Sequence, residues 1–290
     1  MSRRDEVSHE PARPQAWPDA DDDIAVWVHD VASAIVDVLA EVVVGVYLHG
    51  SLAMGSFYRP KSDLDLLVVA ADPLDGDVRR QLAASLLACH DRRPIIGGLE
   101  LSVITAEAAT SPVHPMPYEL HFSEEYTETV RGGGSGPSGT DPDLPANFMA
   151  ARERGQALAG PPPGEVLDAV DADGFLAAIA DDLAWILHDG GIHESPFYAV
   201  LNCCRALHLA EIDDVVVLSK KEGGRWALDI VPERHRSLVR QSLDCYRSGA
   251  DIEASDRRTH GHDWDHQQLE AFRSWMTSRL ASTPWFNGDR

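Results

Sequence analysis

Two segments rich in valine and leucine, Glu41–Leu48 and Asp63–Ala70, flank a short glycine-containing link, and this pairing constrains the chain more than any other feature. In an extended strand successive side chains alternate between faces. Asp63 and Asp65 therefore project together, while Leu64, Leu66 and Val68 point the other way into a core. Two carboxylates side by side repel each other and contribute nothing to stability in that position. A divalent cation removes the conflict, and paired carboxylates beside a phosphate suit Mg²⁺. Just upstream, Gly50 lets the backbone approach a phosphate closely, and Ser51 offers both an N–H and a hydroxyl to it. The run from Gly50 to Asp65 reads as a place where metal and triphosphate meet.

The rest of the chain supplies a frame for that site. With 290 residues, two domains are the natural expectation. Residues 1–20 are charged, carry Pro11, Pro14 and Pro18, and contain no apolar stretch of the kind found in a secretory signal, so they read as a disordered leader. Apolar residues recur at helical spacing from Ile24 to Leu39 and from Asp77 to Cys89. Ser51–Phe57 reads as a short helix, and Leu99–Thr105 as a third strand. This β-α-β-α-β order predicts a small mixed sheet with flanking helices over residues 21–160, with 131–139 as a glycine-rich surface loop. The break Gly160-Pro161-Pro162-Pro163-Gly164 ends that unit. Beyond it the periodicity is helical: Asp173–Leu187, Ser195–Ile212, Ser219–Leu228, Pro232–Ser248 and Asp263–Leu280. An all-α second domain over 165–285 follows, with the site in the cleft between the two.

Charge and cysteines narrow the partners. The chain carries 47 acidic against 25 basic residues, a formal charge of −22. Such a field disfavours nucleic acid and anionic membrane and favours cationic small molecules. No apolar run approaches the length needed to span a bilayer. Cys89, Cys203, Cys204 and Cys245 lack metal-site spacing and read as buried thiols of a cytoplasmic protein.

On the third strand, Glu100 alternates against Leu99, Leu101 and Val103. If that strand lies beside the aspartate strand, Glu100 completes a carboxylate triad, as metal ligand or as the base that deprotonates an attacking hydroxyl. Gly50-Ser51 followed by Asp63-Leu64-Asp65 resembles the signature of the nucleotidyltransferase superfamily related to DNA polymerase β. That resemblance implies an N-terminal nucleotidyltransferase domain, two Mg²⁺ ions on Asp63, Asp65 and Glu100, attack at the α-phosphorus of ATP, and pyrophosphate release.

The likeness extends further along the chain. Asp141–Leu144, Arg152–Gly155 and Gly160–Pro162 resemble the segment joining the two domains of the aminoglycoside 3''/9 adenylyltransferases. Tyr198–Arg205 resembles that family's inter-domain helix, and Val217–Leu228 resembles its Lys…Trp-Ala segment. By this resemblance Arg205 and Lys220 neutralise the triphosphate from the helical side, with Gly50 and Ser51 opposite. It implies a monomer that adenylylates a small cationic hydroxylated substrate of the streptomycin or spectinomycin type. The stretch Trp185–Tyr198 departs from the streptomycin-modifying pattern: Trp185 is out of register, and Ser195 and Tyr198 stand where an Asp and a His or Asn are expected. Asp189 and Glu194 remain as acids that could meet an amine. Two rival readings stand beside this one. The acceptor could be another hydroxylated metabolite or a protein side chain, or the chain could bind nucleotide without turnover.

Overall fold

The computed structural model describes residues 12–212, 215–248 and 263–286. In the N-terminal half the elements are α1 (Asp22–Leu39), β1 (Val43–His49), α2 (Gly50–Ala53), β2 (Leu64–Ala70), α3 (Gly76–His90), β3 (Leu99–Thr105), α4 (Ala106–Thr110), β4 (Met116–Tyr118), β5 (Leu120–Phe122), α5 (Thr127–Arg131), β6 (Gly139–Asp141), α6 (Leu144–Arg154) and β7 (Gln156–Ala159). The second half holds α7 (Pro163–Val166), α8 (Ala172–His188), α9 (Gly191–Glu194), α10 (Pro196–Glu211), α11 (Lys220–Ile230), α12 (Glu233–Arg247) and α13 (His266–Leu280). Every strand among the described residues thus precedes α7, and every later element is a helix.

The main sheet has five strands in the order β5-β3-β2-β1-β7. β2 and β3 run parallel, and the other neighbours are antiparallel, so the sheet is mixed as the element order predicts. Its two faces are both covered. Leu64, Leu66 and Val68 pack with Val28, Val31 and Leu86 of α1 and α3. Leu67, Val69 and Ile104 pack on the other side with Phe148 and Ala151 of α6. Asp65 shares the face of Leu67 and Val69, and Glu100 that of Ser102 and Ile104, by the two-residue period of strands. The sheet face that carries the carboxylates is therefore apolar for most of its length. It becomes polar only at the end of the sheet where helical cover stops.

Several expectations are adjusted. The leader is not disordered throughout: Gln15 exchanges backbone hydrogen bonds with Phe57, Trp17 N–H donates to the Leu52 carbonyl, and Ala12 N–H donates to the Arg247 carbonyl at 2.7 Å. Proline content and charge could not reveal that Trp17 and Ala12 each have an apolar cluster to lie on. Residues 1–11 lie outside the described residues. The helix after Gly50 ends at Ala53 rather than Phe57. There the chain turns at Gly55 and Phe57 is drawn into its pairing with Gln15. The glycine-rich loop joins α5 to β6 as expected, although Gly139–Asp141 leaves it to pair with Met116–Tyr118. All four cysteines are buried and free. Of the histidine-rich tract 260–266, residues 260–262 lie outside the described residues, and His266 begins α13 after the Asp265 N-cap.

The two halves meet on the link between Gly50-Ser51 and Asp63. Lys221 Nζ donates to the Gly55 carbonyl at 2.8 Å, and Tyr246 OH donates to the Ser56 carbonyl at 2.9 Å. Tyr58 is buried within the helical core, edge-on to Tyr246. On the far side Arg154 of α6 donates to the Val217 carbonyl and pairs with Glu222 of α11. The link that carries the phosphate-binding signature is thus also the seat of the helical half.

Candidate active site

At the open end of the sheet, β1 finishes at His49 while β2 and β3 begin. Parallel register sets Asp65 beside Glu100, and antiparallel register sets His49 beside Asp65. Asp63 stands just before β2, where its Oδ1 accepts a 2.7 Å hydrogen bond from Gly98 N–H. Glu100 is exposed to the cleft and Asp65 half-buried, in strands whose other residues are almost all buried. Gly50 has a positive φ of 64°, and a Cβ on it would land on the Asp65 carboxylate. Only glycine meets both demands.

Electrostatically the group is unbalanced. Burial, and then the charges of Glu100 and Asp63, push the Asp65 carboxyl well above the usual range, while Lys220 and the Ser51 backbone N–H draw it partly back. From the helical half, Lys220 faces the same carboxylates. Its ammonium sits 4.9 Å from the centroid of the Tyr198 ring. Burial and the neighbouring Arg205 lower its pKa, against the opposing pull of Asp65, Asp63 and Asp182. Lys220 is placed by a capping box: Ser219 Oγ accepts from Glu222 N–H, and Glu222 Oε2 accepts from Ser219 N–H at 2.8 Å. This fixes Lys220 as the first residue of α11, a position the helix dipole makes unfavourable for a cation. Arg205 reaches the cleft from α10, where it donates to Asn202 Oδ1. Lys221, next along, is spent on the Gly55 carbonyl and does not line the cleft.

All seven residues singled out in the sequence line one cavity of about 560 Å³ between the halves: Gly50, Ser51, Asp63, Asp65, Glu100, Arg205 and Lys220. Ser195 and Tyr198 line it too, but Trp185, Asp189 and Glu194 do not. Trp185 packs edge-on against Tyr198 at the margin of the helical core. The acid that enters the cleft from this side is Asp182 of α8, within reach of Tyr198 OH. Burial raises its pKa against the pull of Arg205 and Lys220. Opposite it, at the start of α6, partial desolvation followed by the charges of Asp182, Asp141 and Asp181 pushes Asp143 up to about 7. Sequence reasoning missed both acids. The available signal was Asp181-Asp182 in the middle of an otherwise apolar helical run, which a solvent face explains equally well. His121, also on the cavity wall, is tied to Ser102 Oγ at 3.0 Å.

A sheet end bearing an Asp-x-Asp pair and a neighbouring Glu, fronted by Gly-Ser and roofed by two cations, has the layout expected of a nucleotidyltransferase. Comparison with known proteins carries this further. Residues 165–279 match the family model described as the aminoglycoside adenylyltransferase C-terminal domain. The chain is 27% identical over 224 residues to a spectinomycin 9-adenylyltransferase of Staphylococcus aureus, covering 76% of this chain and 83% of the relative. It is 26% identical over 243 residues to an aminoglycoside (3'') (9) adenylyltransferase of Shigella flexneri, covering 80% and 89%. The crystal structure of spectinomycin adenyltransferase from Enterococcus faecialis with ATP and spectinomycin shares the fold, with a TM-score of 0.72 over 89% of this chain and 99% of that one, at 20% identity. The chain is thus similar to aminoglycoside adenylyltransferases along most of its length.

Proposed function

We propose that the protein transfers AMP from ATP to a hydroxyl of an aminoglycoside or aminocyclitol, with Mg²⁺, and releases pyrophosphate. The observation that carries this reading is the register pairing of Asp65 with Glu100 under Lys220, in the cleft of a chain homologous to such enzymes.

The carboxylates suit the metal. Asp65 is held among Glu100 and Asp63 with its charge disfavoured, which is the condition a divalent cation relieves. No three His, Cys, Asp or Glu among the described residues form a ready-made metal cage. Mg²⁺ bound with a nucleotide does not require one, since it takes one or two carboxylates and completes its shell with phosphate oxygens and water. When bound, the ion would polarise the α-phosphate and offset its charge. Glu100, open to the cleft, accepts the proton of the acceptor hydroxyl. The acceptor oxygen forms a bond to the α-phosphorus, and the bond to the bridging oxygen breaks with its electron pair leaving on pyrophosphate. Arg205 and Lys220 face that growing charge from the helical side. Gly50 and Ser51 hold the phosphates against the end of β1.

Asp143 and Asp182 make the acceptor end of the cleft acidic, which favours a substrate bearing amines or guanidines. The direct test is transfer from labelled ATP across a panel of aminoglycosides and aminocyclitols. Labelling of spectinomycin or streptomycin is the expected result, and labelling of proteins alone would sink the acceptor class.

Acceptor binding should also depend on pH. Asp143 ionises near 7, so it is neutral below and charged above that value. The affinity for a cationic acceptor should rise as pH increases from 6 to 8, and Asp143→Asn should flatten that rise. Folding stability should move the opposite way. Asp143 binds its proton more tightly folded than unfolded, so its share of stability is present at low pH and is lost as pH climbs towards 7. Acceptor KM profiles between pH 6 and 8, and melting curves between about pH 4 and 7, check both signs.

A further inference from the structure

A cluster of charged side chains outside the cleft grips one of its walls from behind. The corner between α8 and α10 is a turn at Gly190, where φ is 93°, followed by the four residues of α9. Just beyond it stand Ser195, Phe197 and Tyr198, which line the cavity. Just before it stands Trp185. A Cβ on Gly191 would lie 2.7 Å from the Trp185 ring, so α9 rests directly on that indole. Trp185 in turn packs edge-on against Tyr198, with ring centroids 6.2 Å apart. Tyr198 lies under the Lys220 ammonium, and its OH reaches Asp182 at 3.4 Å.

From the other side α13 closes on this corner. His266, Glu270 and Arg273 are four and three residues apart and share one face of that helix. Arg273 Nη1 donates to the Leu187 carbonyl, in the last turn of α8, at 2.9 Å. Its Nε and Nη2 donate to Glu270 Oε2 at 3.0 and 2.6 Å. Glu270 Oε1 lies 2.6 Å from His193 Nε2 of α9, and the His266 ring stacks on His193 with centroids 5.0 Å apart. Arg273, and after it His193, hold the Glu270 carboxyl below the usual carboxylate range. The side chains of Glu270 and Arg273 are 43% and 36% exposed, and ion pairs so open to water add little to stability. What they supply is geometry: one helix ties the end of α8 to α9 across the turn.

We propose that His193, Glu270 and Arg273 are positioning residues for the acceptor, holding the corner so that Trp185 backs Tyr198 and Tyr198 keeps its place beside Asp182. The inference rests on the reading of Asp182 as an acid that meets the acceptor. None of the three lines the cavity, so they act through Trp185 and Tyr198. The nucleotide side is fixed by other means. The capping box at Ser219 places Lys220, and strand register places Asp65 and Glu100. The clamp therefore bears on the acceptor and spares ATP.

The test compares the full chain with His193→Ala and with His193→Gln, whose amide N–H has about the reach of Nε2. The amides of His193, Glu194 and Ser195 donate to the Gly190 and Gly191 carbonyls, and in the ligand-free His193→Ala protein they should exchange hydrogen roughly 10-fold faster. With labelled ATP, and whichever of spectinomycin or streptomycin the parent labels, the acceptor KM should rise roughly 10-fold while the KM for ATP stays within about two-fold. Glu270→Ala should reproduce both changes, and His193→Gln should recover most of them. Melting temperatures should move by no more than a few degrees. Unchanged exchange in His193→Ala would overturn the clamp. Faster exchange with an unchanged acceptor KM would show that the corner does not place the wall and would overturn its role. Equal rises in the two KM values would show a general loosening and overturn it as well. If the parent labels proteins alone, the acceptor class falls and the clamp is judged on the KM for that protein. If the parent transfers no AMP at all, both fall.

Discussion

Asp65→Asn should remove at least roughly 10³-fold of AMP transfer while making the ligand-free protein more stable. The two effects share one cause. The surroundings of Asp65 disfavour its charge on balance: burial and the carboxylates of Glu100 and Asp63 outweigh Lys220 and the Ser51 N–H. A neutral side chain of the same shape escapes that penalty and keeps the fit beside Gly50. A gain on the order of 1 kcal/mol corresponds to a melting temperature a few degrees higher for a chain of this size. The activity falls because asparagine lacks the charge that a divalent cation and the developing transition state need. Scanning calorimetry and pyrophosphate release, measured on the same preparation, read both halves of the prediction. A variant that stays active, or that melts lower with its fold otherwise intact, would remove Asp65 from the centre of the site.

Lys220→Met should lower kcat/KM for ATP by roughly 10²-fold with little change in folding. The ammonium is desolvated and faces Arg205, and together these outweigh the attraction of Asp65, Asp63 and Asp182. Its charge therefore does not stabilise the empty protein, and a methionine can occupy the same channel over Tyr198. What is lost is the cation proposed to meet the triphosphate. The neighbouring Lys221→Met supplies the contrast. That side chain holds the Gly55 carbonyl at the junction of the halves, so its loss should show first in stability. Steady-state kinetics with ATP varied, alongside melting curves, separate the two lysines. Equal effects at both positions would show that the capping box at Ser219 does not place Lys220 for the nucleotide.

The parts legible in the sequence share a property: each depends on neighbours within a few positions. Alternation in Asp63–Ala70 fixed which side of the strand carries the carboxylates. The periodic run from Ser219 set the start of α11 to within one residue, where Ser219 and Glu222 form a capping box. The five long helices of the second half fall within a few residues of the periodic runs, for example Ala172–His188 against Asp173–Leu187, whereas the short α7 and α9 were not foreseen. Where local pattern misled, a distant contact had intervened. Phe57 left the short helix because Gln15 pairs with it, and residues 12–20 are ordered because both apolar clusters offer them a surface.

The acceptor end of the cleft was the least readable for the same reason. Asp143 and Asp182 are 39 positions apart and face each other only through the packing of α6 on α8. The acids nearest the divergent stretch, Asp189 and Glu194, were the natural sequence choice, yet neither lines the cavity. Asp182 stands seven positions before Asp189, about two helical turns back along α8. A preference read from chain proximity cannot choose between such turns.

The sequence by itself determined that Gly50, Ser51, Asp63 and Asp65 gather at the strand ends, because strand alternation and a required glycine are local facts of the backbone. It also determined the all-helical character of the second half, through its periodicity. Only the tertiary structure decided that Glu100 stands beside Asp65 and that Asp182 and Lys61 line the cleft. Those outcomes depend on strand register and on how the helical half seats against the link 54–62. Both are set by long-range packing of side chains, which no short window of sequence contains.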